Sequence, residues 1–239
     1  VAGSVRAVAG VSVGEYAALC AAGVMSFEAG LAVVKTFDRL AMTCIAKAQA
    51  AGRTLHVASI SGIAEDALLR LVLCATHRGG PGAVCEVLAI GNPTPDCTAV
   101  VGTAKAVYVL KFMAEAAGAR RAEVFAHPWC GLHTPMMRAQ QGRLFGALDK
   151  ALPRMQSPSH TVWMAAKDVA MIPGCDPADI VANLKWQLTS PVPWARMCAA
   201  VLRSGVGECY SCGPEERSGS QLWRQWHAPE IQRWQSCWR

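Results

Sequence analysis

The stretch "GVSVGEYAAL", residues 10–19, sets a serine between two glycines where a buried strand is expected to give way to a helix. Residues 5–9, "VRAVA", suit the strand, and the run "EYAALCAAG" is typical of a helix that ends at Gly23. Gly-x-Ser-x-Gly between a strand and a helix is the pattern of a nucleophile elbow, in which small neighbours leave the serine hydroxyl exposed. The pattern therefore predicts Ser12 as a nucleophile.

A serine hydroxyl is a weak nucleophile at neutral pH unless a base is positioned beside it, so the chain should also hold a catalytic histidine. Four of the six histidines lie in segments typical of ordinary strand, helix-end or tail positions: His56, His77, His160 and His227. The other two, His127 and His133, lie in "FAHPWCGLHTPMM", residues 125–137. The Val13 amide, next after the serine, would lie at a helix N-terminus, where it can stabilise an oxyanion.

Composition limits the class of protein. The chain has 239 residues, of which 52% are hydrophobic and 17% charged, and this suits one large domain or two small ones. No apolar run approaches the roughly eighteen residues that a membrane-spanning helix requires, so we expect a soluble protein without a membrane span. The formal net charge of +6 is compatible with phosphate-bearing ligands or acidic protein partners. Since Lys and Arg are dispersed, we expect no nucleic-acid partner.

Cysteine usage bears on compartment and metal content. Eleven cysteines, an odd number, are scattered through apparent core elements, which favours reduced thiols in the cytoplasm or in an organelle matrix, mitochondrial or plastid. Cys209 and Cys212 form a CxxC that could be half of a zinc site or a redox pair. No second pair lies at a suitable spacing, so two small residues at a strand end are the favoured interpretation and no metal is predicted. The first residue is Val1 rather than Met, and we expect a processed chain or a fragment.

The centre of the chain predicts a unit of its own. The expected elements are a strand near 55–61, a helix near 64–77, strands near 84–90 and 98–102, a helix near 104–118 and a strand near 120–126. This order is the split βαββαβ of a ferredoxin-like unit. We interpret residues 54–126 as a ferredoxin-like subdomain inserted into an α/β body that comprises residues 1–53 and 127–216.

The rest of the body is predicted to alternate helices with short strands. Ser26 is a good N-cap for a helix that continues towards Gly52. Further along we expect a helix near 135–152, a strand within "TVWMAA" at 161–166, helices near 177–188 and 191–204, and a strand near 207–211. Pro191 is predicted at a first helical position. The tail, residues 217–239, carries four of the eight tryptophans among basic residues. It could bind a partner or a membrane surface, although tryptophans that pack the tail back on the domain are favoured.

Four segments carry a resemblance to a known family: "GVSVGEYAAL" at 10–19, "GLHTPMM" at 131–137, "WQLTSPVPW" at 186–194 and "CYSCGPEE" at 209–216. A further family segment is matched by "GVMSFEAGL" at 23–31. In order and spacing they resemble the malonyl-CoA:acyl carrier protein transacylases and the acyltransferase domains of fatty acid and polyketide synthases. The resemblance runs from about residue 5 to about residue 216 and is closest to plant and algal organellar members.

The resemblance implies an α/β-hydrolase-like body with an inserted ferredoxin-like subdomain, and a ping-pong acyl transfer. In such an enzyme Ser12 takes the acyl group from coenzyme A, His133 acts as base and then as acid, and the backbone carbonyl of Gln187 orients the imidazole. Val13 contributes to the oxyanion hole. The acceptor is the phosphopantetheine thiol of acyl carrier protein, and the only coenzyme implied is coenzyme A, as a thioester substrate. The predicted function is acyl transfer, malonyl by default, in fatty acid synthesis.

Three departures from the family pattern bear on activity. Family members carry a segment before the elbow with a first strand and a glutamine whose amide completes the oxyanion hole, and we expect it to be missing here. Where the family has an arginine that binds the malonyl carboxylate, "VVKTFDRLAM" has Phe37, which suits an uncharged acyl group. Arg39 follows two residues later, about 200° round a helix, and both are candidate substrate contacts. Lastly, Pro128 and Trp129 replace small residues, and "GPEERSG" lacks the usual glycine after Gly-Pro.

Two other functions stay open at this point. A transacylase-like protein without catalytic activity could serve as a scaffold subunit of a larger assembly, and it would form no acyl-enzyme. An ordinary serine hydrolase of the α/β-hydrolase class would need an acidic residue between the serine and the histidine in chain order. Asp96 is available for that role, although it lies in a turn of the inserted unit. Glu15 is expected to be a first-turn helix charge rather than a catalytic acid.

Overall fold

Helices and three separate sheets form a mixed α/β fold in the computed structural model, which describes residues 5–52, 54–91, 94–125, 131–165, 167, 169–206, 208–212 and 233–236. The helices are α1 (Val13–Ala21), α2 (Phe27–Ala50), α3 (Glu65–Gly79), α4 (Ala104–Ala116), α5 (Gln141–Ala151), α6 (Pro177–Gln187) and α7 (Trp194–Arg203). The strands are β1 (Ala7–Gly10), β2 (Leu55–Ser61), β3 (Cys85–Ile90), β4 (Cys97–Thr103), β5 (Arg121–Phe125), β6 (Thr161–Met164), β7 (Val169–Met171), β8 (Glu208–Ser211) and β9 (Arg233–Ser236). Two short 3₁₀ helices span Pro135–Gln140 and Leu152–Arg154.

The first sheet places the predicted elbow. β1 pairs in parallel with β6, so that Gly10 lies opposite Met164, and β7 pairs with β6 in antiparallel fashion. α1 begins three residues after the end of β1 and packs against it. The chain therefore turns sharply between the end of a sheet strand and the start of a helix, as the glycine pattern predicts.

A single apolar core joins this sheet to four helices of the body. Its largest fully buried side chains come from α1, α2, α5, α6, β6 and the first 3₁₀ helix: Tyr16, Leu19, Leu40, Met137, Leu144, Leu148, Met164, Ile180 and Leu184. α2 begins where the sequence indicates, because the Ser26 side chain caps it by accepting a hydrogen bond from the Ala29 amide at 3.2 Å. Burial of this many large apolar side chains is the main force that holds the helices on the sheet.

A second sheet, in the strand order β3-β4-β2-β5, is antiparallel throughout. Together with α3 and α4 it forms the four-stranded unit, residues 55–125. The observed order along the chain, strand, helix, two strands, helix, strand, follows the predicted order. Alternate strand residues such as Ala58 and Val100 pack in one apolar cluster with α3 and α4, whereas neighbours such as Val101 belong to another cluster that includes Met197 of α7. Both faces of this sheet are therefore covered.

The prediction that a helix begins at Pro191 is wrong. Val192 is extended and lies beside β3, where its amide donates to the Leu88 carbonyl at 3.1 Å and its carbonyl accepts from the Ile90 amide at 2.9 Å. Two causes act together, because this pairing holds Val192 extended and the proline at 193 disfavours helical backbone at the residue before it. α7 consequently starts at Trp194.

Other element boundaries differ less. The helix predicted near 135–152 is a 3₁₀ helix followed by α5, and the short strand β7 was not predicted. β8 lies at the predicted strand near 207–211 and pairs in parallel with β9, with Cys209 opposite Trp234. Apart from β9, the predicted tail lies outside the described residues. No helix in the described ranges is both long and apolar enough to cross a membrane.

Candidate active site

Ser12 lies in the turn between β1 and α1 with a strained backbone. Its φ of 56° and ψ of −122° fall in a region that L-residues rarely adopt. A Cβ atom on Gly10 would lie 2.0 Å from the carbonyl oxygen of Gly14, whereas a Cβ on Gly14 would meet nothing within 4 Å. The first glycine of the motif is therefore sterically required for the turn, and the second is not.

His133 lies beside this turn, although it is 121 residues away in the chain. Its Nε2 atom is 2.9 Å from the Ser12 hydroxyl oxygen, and its Nδ1 atom is 2.8 Å from the carbonyl oxygen of Gln187. A carbonyl oxygen can only accept, so Nδ1 carries the proton and Nε2 is the acceptor for the serine hydroxyl. The structure thus brings together the three residues predicted as nucleophile, base and orienting carbonyl.

The backbone that presents the imidazole is also strained. His133 has a φ of 62°, and its amide donates to the Leu188 carbonyl at 3.0 Å. The next residue, Thr134, is fully buried; its hydroxyl donates to the Gly131 carbonyl at 2.6 Å and accepts from the Met136 amide at 3.4 Å. These bonds hold the histidine between the loop and the end of α6.

Burial determines the charge state of His133, the candidate base. The His133 side chain is buried, and burial lowers its pKa because the imidazolium loses its hydration. The hydrogen bond to the Gln187 carbonyl acts in the opposite direction and is the smaller effect. At neutral pH the imidazole is therefore neutral and able to accept a proton.

The candidate oxyanion donor lies in α1, whereas the two candidate substrate contacts lie in α2. Val13 is the first residue of α1, and amides of a first helical turn have no acceptor within the helix. Phe37 is buried in α2 with its ring centroid 6.2 Å from the His133 ring and 6.3 Å from the Tyr16 ring. Arg39 is exposed on α2 and is not brought to the site. The described residues include no buried Lys or Arg.

The side-chain contacts of Glu15 were not predicted from the sequence. Glu15 lies in the first turn of α1, as expected for a first-turn helix charge, and its side chain is fully buried. One carboxylate oxygen accepts from the Ala165 amide at 2.6 Å, and the other accepts from the Gln187 side-chain nitrogen at 2.8 Å. That nitrogen also donates to the Ser12 carbonyl at 2.9 Å. The one signal in the sequence is an acidic residue inside an otherwise apolar helix, three positions after the serine.

The residues invoked by the other hypotheses lie elsewhere. Asp96 is in a surface turn, where it accepts a hydrogen bond from Thr94 and pairs with Arg120. Among the residues that the structure describes, no three His, Cys, Asp or Glu side chains are grouped so as to hold a metal ion. His127, Pro128 and Trp129 lie outside the described residues.

Comparison with known proteins gives a result for structure alone. No family model matches the chain, and no curated protein matches its sequence. The solved structure of FabD from Acinetobacter baumannii is similar with a TM-score of 0.81 and 22% identity, over 98% of this chain and 68% of that one. The acyl-carrier-protein S-malonyltransferase from Bartonella henselae is similar with a TM-score of 0.71 and 26% identity, over 98% of this chain and 68% of that one.

The chain has the fold of the acyl carrier protein malonyltransferases. A further similar structure is that of a type II polyketide-synthase acyl-carrier protein in complex with its malonyl-transacylase. The similarity has a TM-score of 0.74 and 22% identity, over 98% of this chain and 69% of that one. The chain therefore spans about two thirds of the length of the malonyltransferases that it resembles.

Proposed function

We propose that this chain transfers an acyl group, malonyl in the first instance, from coenzyme A to the phosphopantetheine thiol of acyl carrier protein. The observation that carries the proposal is the line of contacts from the Ser12 hydroxyl to His133 Nε2 at 2.9 Å and from His133 Nδ1 to the Gln187 carbonyl at 2.8 Å. The malonyltransferase fold around these residues supports the acyl class. The acyl carrier protein seen with one malonyl-transacylase of this fold supports the acceptor.

In the first half-reaction His133 Nε2 takes the Ser12 proton as the serine oxygen attacks the thioester carbonyl carbon. The Val13 amide and the positive end of the α1 dipole stabilise the oxyanion. When the tetrahedral intermediate collapses, the carbon–sulfur bond breaks and the imidazolium returns the proton to the coenzyme A thiolate. The product is an acyl ester on Ser12 and free coenzyme A.

The second half-reaction runs the same steps with a different thiol. His133 takes the proton of the phosphopantetheine thiol, the thiolate attacks the ester carbonyl carbon, and the bond to the serine oxygen breaks. The serine oxygen recovers its proton from the imidazolium. A carbonyl at Nδ1, in the position where many triads have a carboxylate, orients the ring and stabilises the imidazolium without adding a charge.

The same proposal covers the finer architecture and the setting. The four-stranded unit is proposed to be a ferredoxin-like subdomain (54–126) inserted into an α/β-hydrolase-like body (1–53 and 127–216), with 217–239 as a separate tail. The strand order β3-β4-β2-β5, with α3 and α4 on one face, supports this division. Fatty acid synthesis in an organelle matrix or the cytoplasm is the proposed setting, and the net charge of +6 suits an acidic carrier protein.

The test is intact-protein mass spectrometry after brief incubation with malonyl-CoA and, separately, with acetyl-CoA, followed by an acid quench. A malonyl adduct that is absent from Ser12→Ala supports the proposal. An acetyl adduct alone keeps the mechanism and changes the substrate, in line with Phe37 beside His133. Absence of any adduct on a folded protein contradicts the proposal.

A scaffold without catalytic activity is the second candidate, and one observation favours it. Phe37 stands where the family has the arginine that binds the malonyl carboxylate, and its ring packs beside His133, while Arg39 is exposed. Neither residue therefore offers that carboxylate a cation at the site. A scaffold would bind partner proteins with the same affinity in the wild type and in Ser12→Ala, and neither would carry an acyl group.

A further inference from the structure

Both residues of the proposed Ser-His pair depend on the C-terminal end of α6. Ser12 and His133 are the non-glycine residues with positive φ in the described part of the chain. The Gln187 side chain donates to the Ser12 carbonyl at 2.9 Å, and the Leu188 carbonyl accepts from the His133 amide at 3.0 Å. Two consecutive residues therefore hold two strained backbones that are far apart in sequence.

The Gln187 side chain is itself held by a buried charge. Its nitrogen is shared between the Ser12 carbonyl and a carboxylate oxygen of Glu15, at 2.9 and 2.8 Å. The other carboxylate oxygen accepts from the Ala165 amide at the end of β6. Because both neighbours of the nitrogen are acceptors, the amide has one allowed orientation, and a flip would place oxygen against oxygen.

Stability alone does not account for a glutamine here. Its side-chain oxygen is buried and has no hydrogen-bond partner in the part of the chain that the structure describes. Such an atom costs about 1–3 kcal/mol. The backbone carbonyl that accepts from His133 would be present with any residue at this position, so the contacts that need glutamine are those of its side chain.

We propose that Gln187 is a positioning residue, whose side chain, anchored by Glu15, holds Ser12 and His133 in the relative geometry that proton transfer requires. The inference rests on the proposed function for its substrate but adds a role that the backbone carbonyl alone does not require. By fixing Gln187 against Ser12, the side chain also fixes where its own carbonyl meets Nδ1. A displacement of about 1 Å in such a site can lower a rate about a hundredfold.

The first test replaces the amide with an apolar side chain of similar length. Gln187→Met keeps the backbone carbonyl and removes both donated hydrogen bonds, and we expect Ser12 acylation to slow by about 10- to 100-fold in the folded protein. Gln141→Met is the matched control, since Gln141 donates to Thr189 at 2.9 Å close to the same helix end. Acylation of the control is expected to match the wild type. Wild-type acylation in Gln187→Met would overturn the proposal.

The pH profile of acylation separates positioning from general destabilisation. The carbonyl contact favours the imidazolium, so a looser contact lowers the pKa of His133 further. In Gln187→Met the acidic limb of the profile is expected to move to lower pH, and in Gln141→Met to stay in place. An unmoved limb in Gln187→Met would count against the proposal.

Exchange of amide and carboxylate groups at positions 187 and 15 tests the hydrogen bond between Gln187 and Glu15. Gln187→Glu sets a carboxylate against Glu15 and the Ser12 carbonyl, and it should lower both the melting temperature and the acylation rate. Adding Glu15→Gln restores a donor and an acceptor between positions 15 and 187 and keeps an acceptor for the Ala165 amide. In this double variant the Ser12 carbonyl oxygen still faces the carboxylate introduced at position 187, which cannot donate a hydrogen bond to it. We expect the double variant to regain melting temperature while acylation stays slow. Recovery of both would show a merely structural role.

A fluorophosphonate probe keeps this test independent of coenzyme A chemistry. The Ser12 oxygen displaces fluoride from phosphorus, and His133 takes the serine proton. If the wild type reacts with the probe but with no acyl-CoA, the proposed function fails, and the rates of probe labelling in the same variants still test the positioning role. If Ser12 in the folded wild type reacts with neither, the positioning role fails as well.

Discussion

The four-stranded unit and the body of this protein use their polar groups in opposite ways. In the four-stranded unit, the buried polar side chains among the described residues are Ser61 and Thr98, and charged side chains pair at the surface, as Asp66 and Arg70 do. In the body, Glu15, His133 and Gln187 are buried together. The body also contains both non-glycine residues with positive φ that the described ranges include. Regular backbone and apolar burial stabilise one region, whereas strain and buried polar contacts mark the other.

The strained backbones lie in the body, together with the contacts that hold them. Strained residues cost about 1–3 kcal/mol each and persist only where the surroundings hold them. Here the hydrogen bonds around Ser12 and His133 join residues that are separated in the chain by 121, 172 and 175 positions. The four-stranded unit needs no such contacts, because backbone pairing joins its strands and its two helices pack on them.

The largest effect is expected from removing His133, the proposed base. We expect His133→Ala to slow Ser12 acylation by about 10²- to 10⁴-fold, the usual contribution of a general base. His56→Ala is the comparison, since His56 lies on β2 in the four-stranded unit with its ring 6.0 Å from Tyr108. Rapid-quench mass spectrometry measures both rates. Equal slowing by the two substitutions would break the contrast between the regions.

The next effect concerns the turn itself. Gly10→Ala places a methyl carbon 2.0 Å from the Gly14 carbonyl oxygen, and we expect the free energy of unfolding to fall by about 4 kcal/mol or more. Gly14→Ala meets open space in the first turn of α1, where alanine is favoured over glycine by about 1 kcal/mol. Urea denaturation compares the two. Similar stabilities would show that the turn tolerates a side chain at both positions.

A third prediction tests whether the four-stranded unit acts on the site. Leu110 is fully buried between its sheet and helices, so Leu110→Ala should lower the free energy of unfolding by about 3 kcal/mol. Phe112→Ala, on the exposed face of the same helix, should have little effect. At a temperature where both variants are folded, we expect Ser12 acylation to proceed at the wild-type rate. A slowed rate in Leu110→Ala would couple the two regions.

The smallest effect is the pH dependence of stability. Burial lowers the pKa of His133 below its ordinary value of 6.5, so below pH 6.5 the unfolded chain binds more protons than the folded one. The free energy of unfolding should therefore fall as pH drops through 6.5 towards the lowered pKa, and the contribution is complete above 6.5. Denaturation of the wild type and of His133→Gln on both sides of that pH measures it. A drop of the same size in the variant would assign the effect to other groups.

Prediction from sequence succeeded where local pattern decides structure. The glycines around Ser12 placed a turn between a strand and a helix, and Ser26 caps α2 as expected. The predicted strands near 55–61 and 98–102 are β2 and β4 to within a residue or so. The predicted helix start at Pro191 is wrong, because pairing of Val192 with β3 and the proline that follows it outweigh the helical preference.

The turn at Ser12, the order of elements in the four-stranded unit and the candidate nucleophile could all be predicted from the amino-acid sequence, because each depends on residues close together in the chain. No local pattern predicts that Glu15 is buried, that the Gln187 side chain reaches Ser12, or that Phe37 lies beside His133 while Arg39 is exposed. The physical reason is that these contacts join separate segments of the chain. A residue's neighbours across the core determine whether its charge is solvated, paired or used in chemistry.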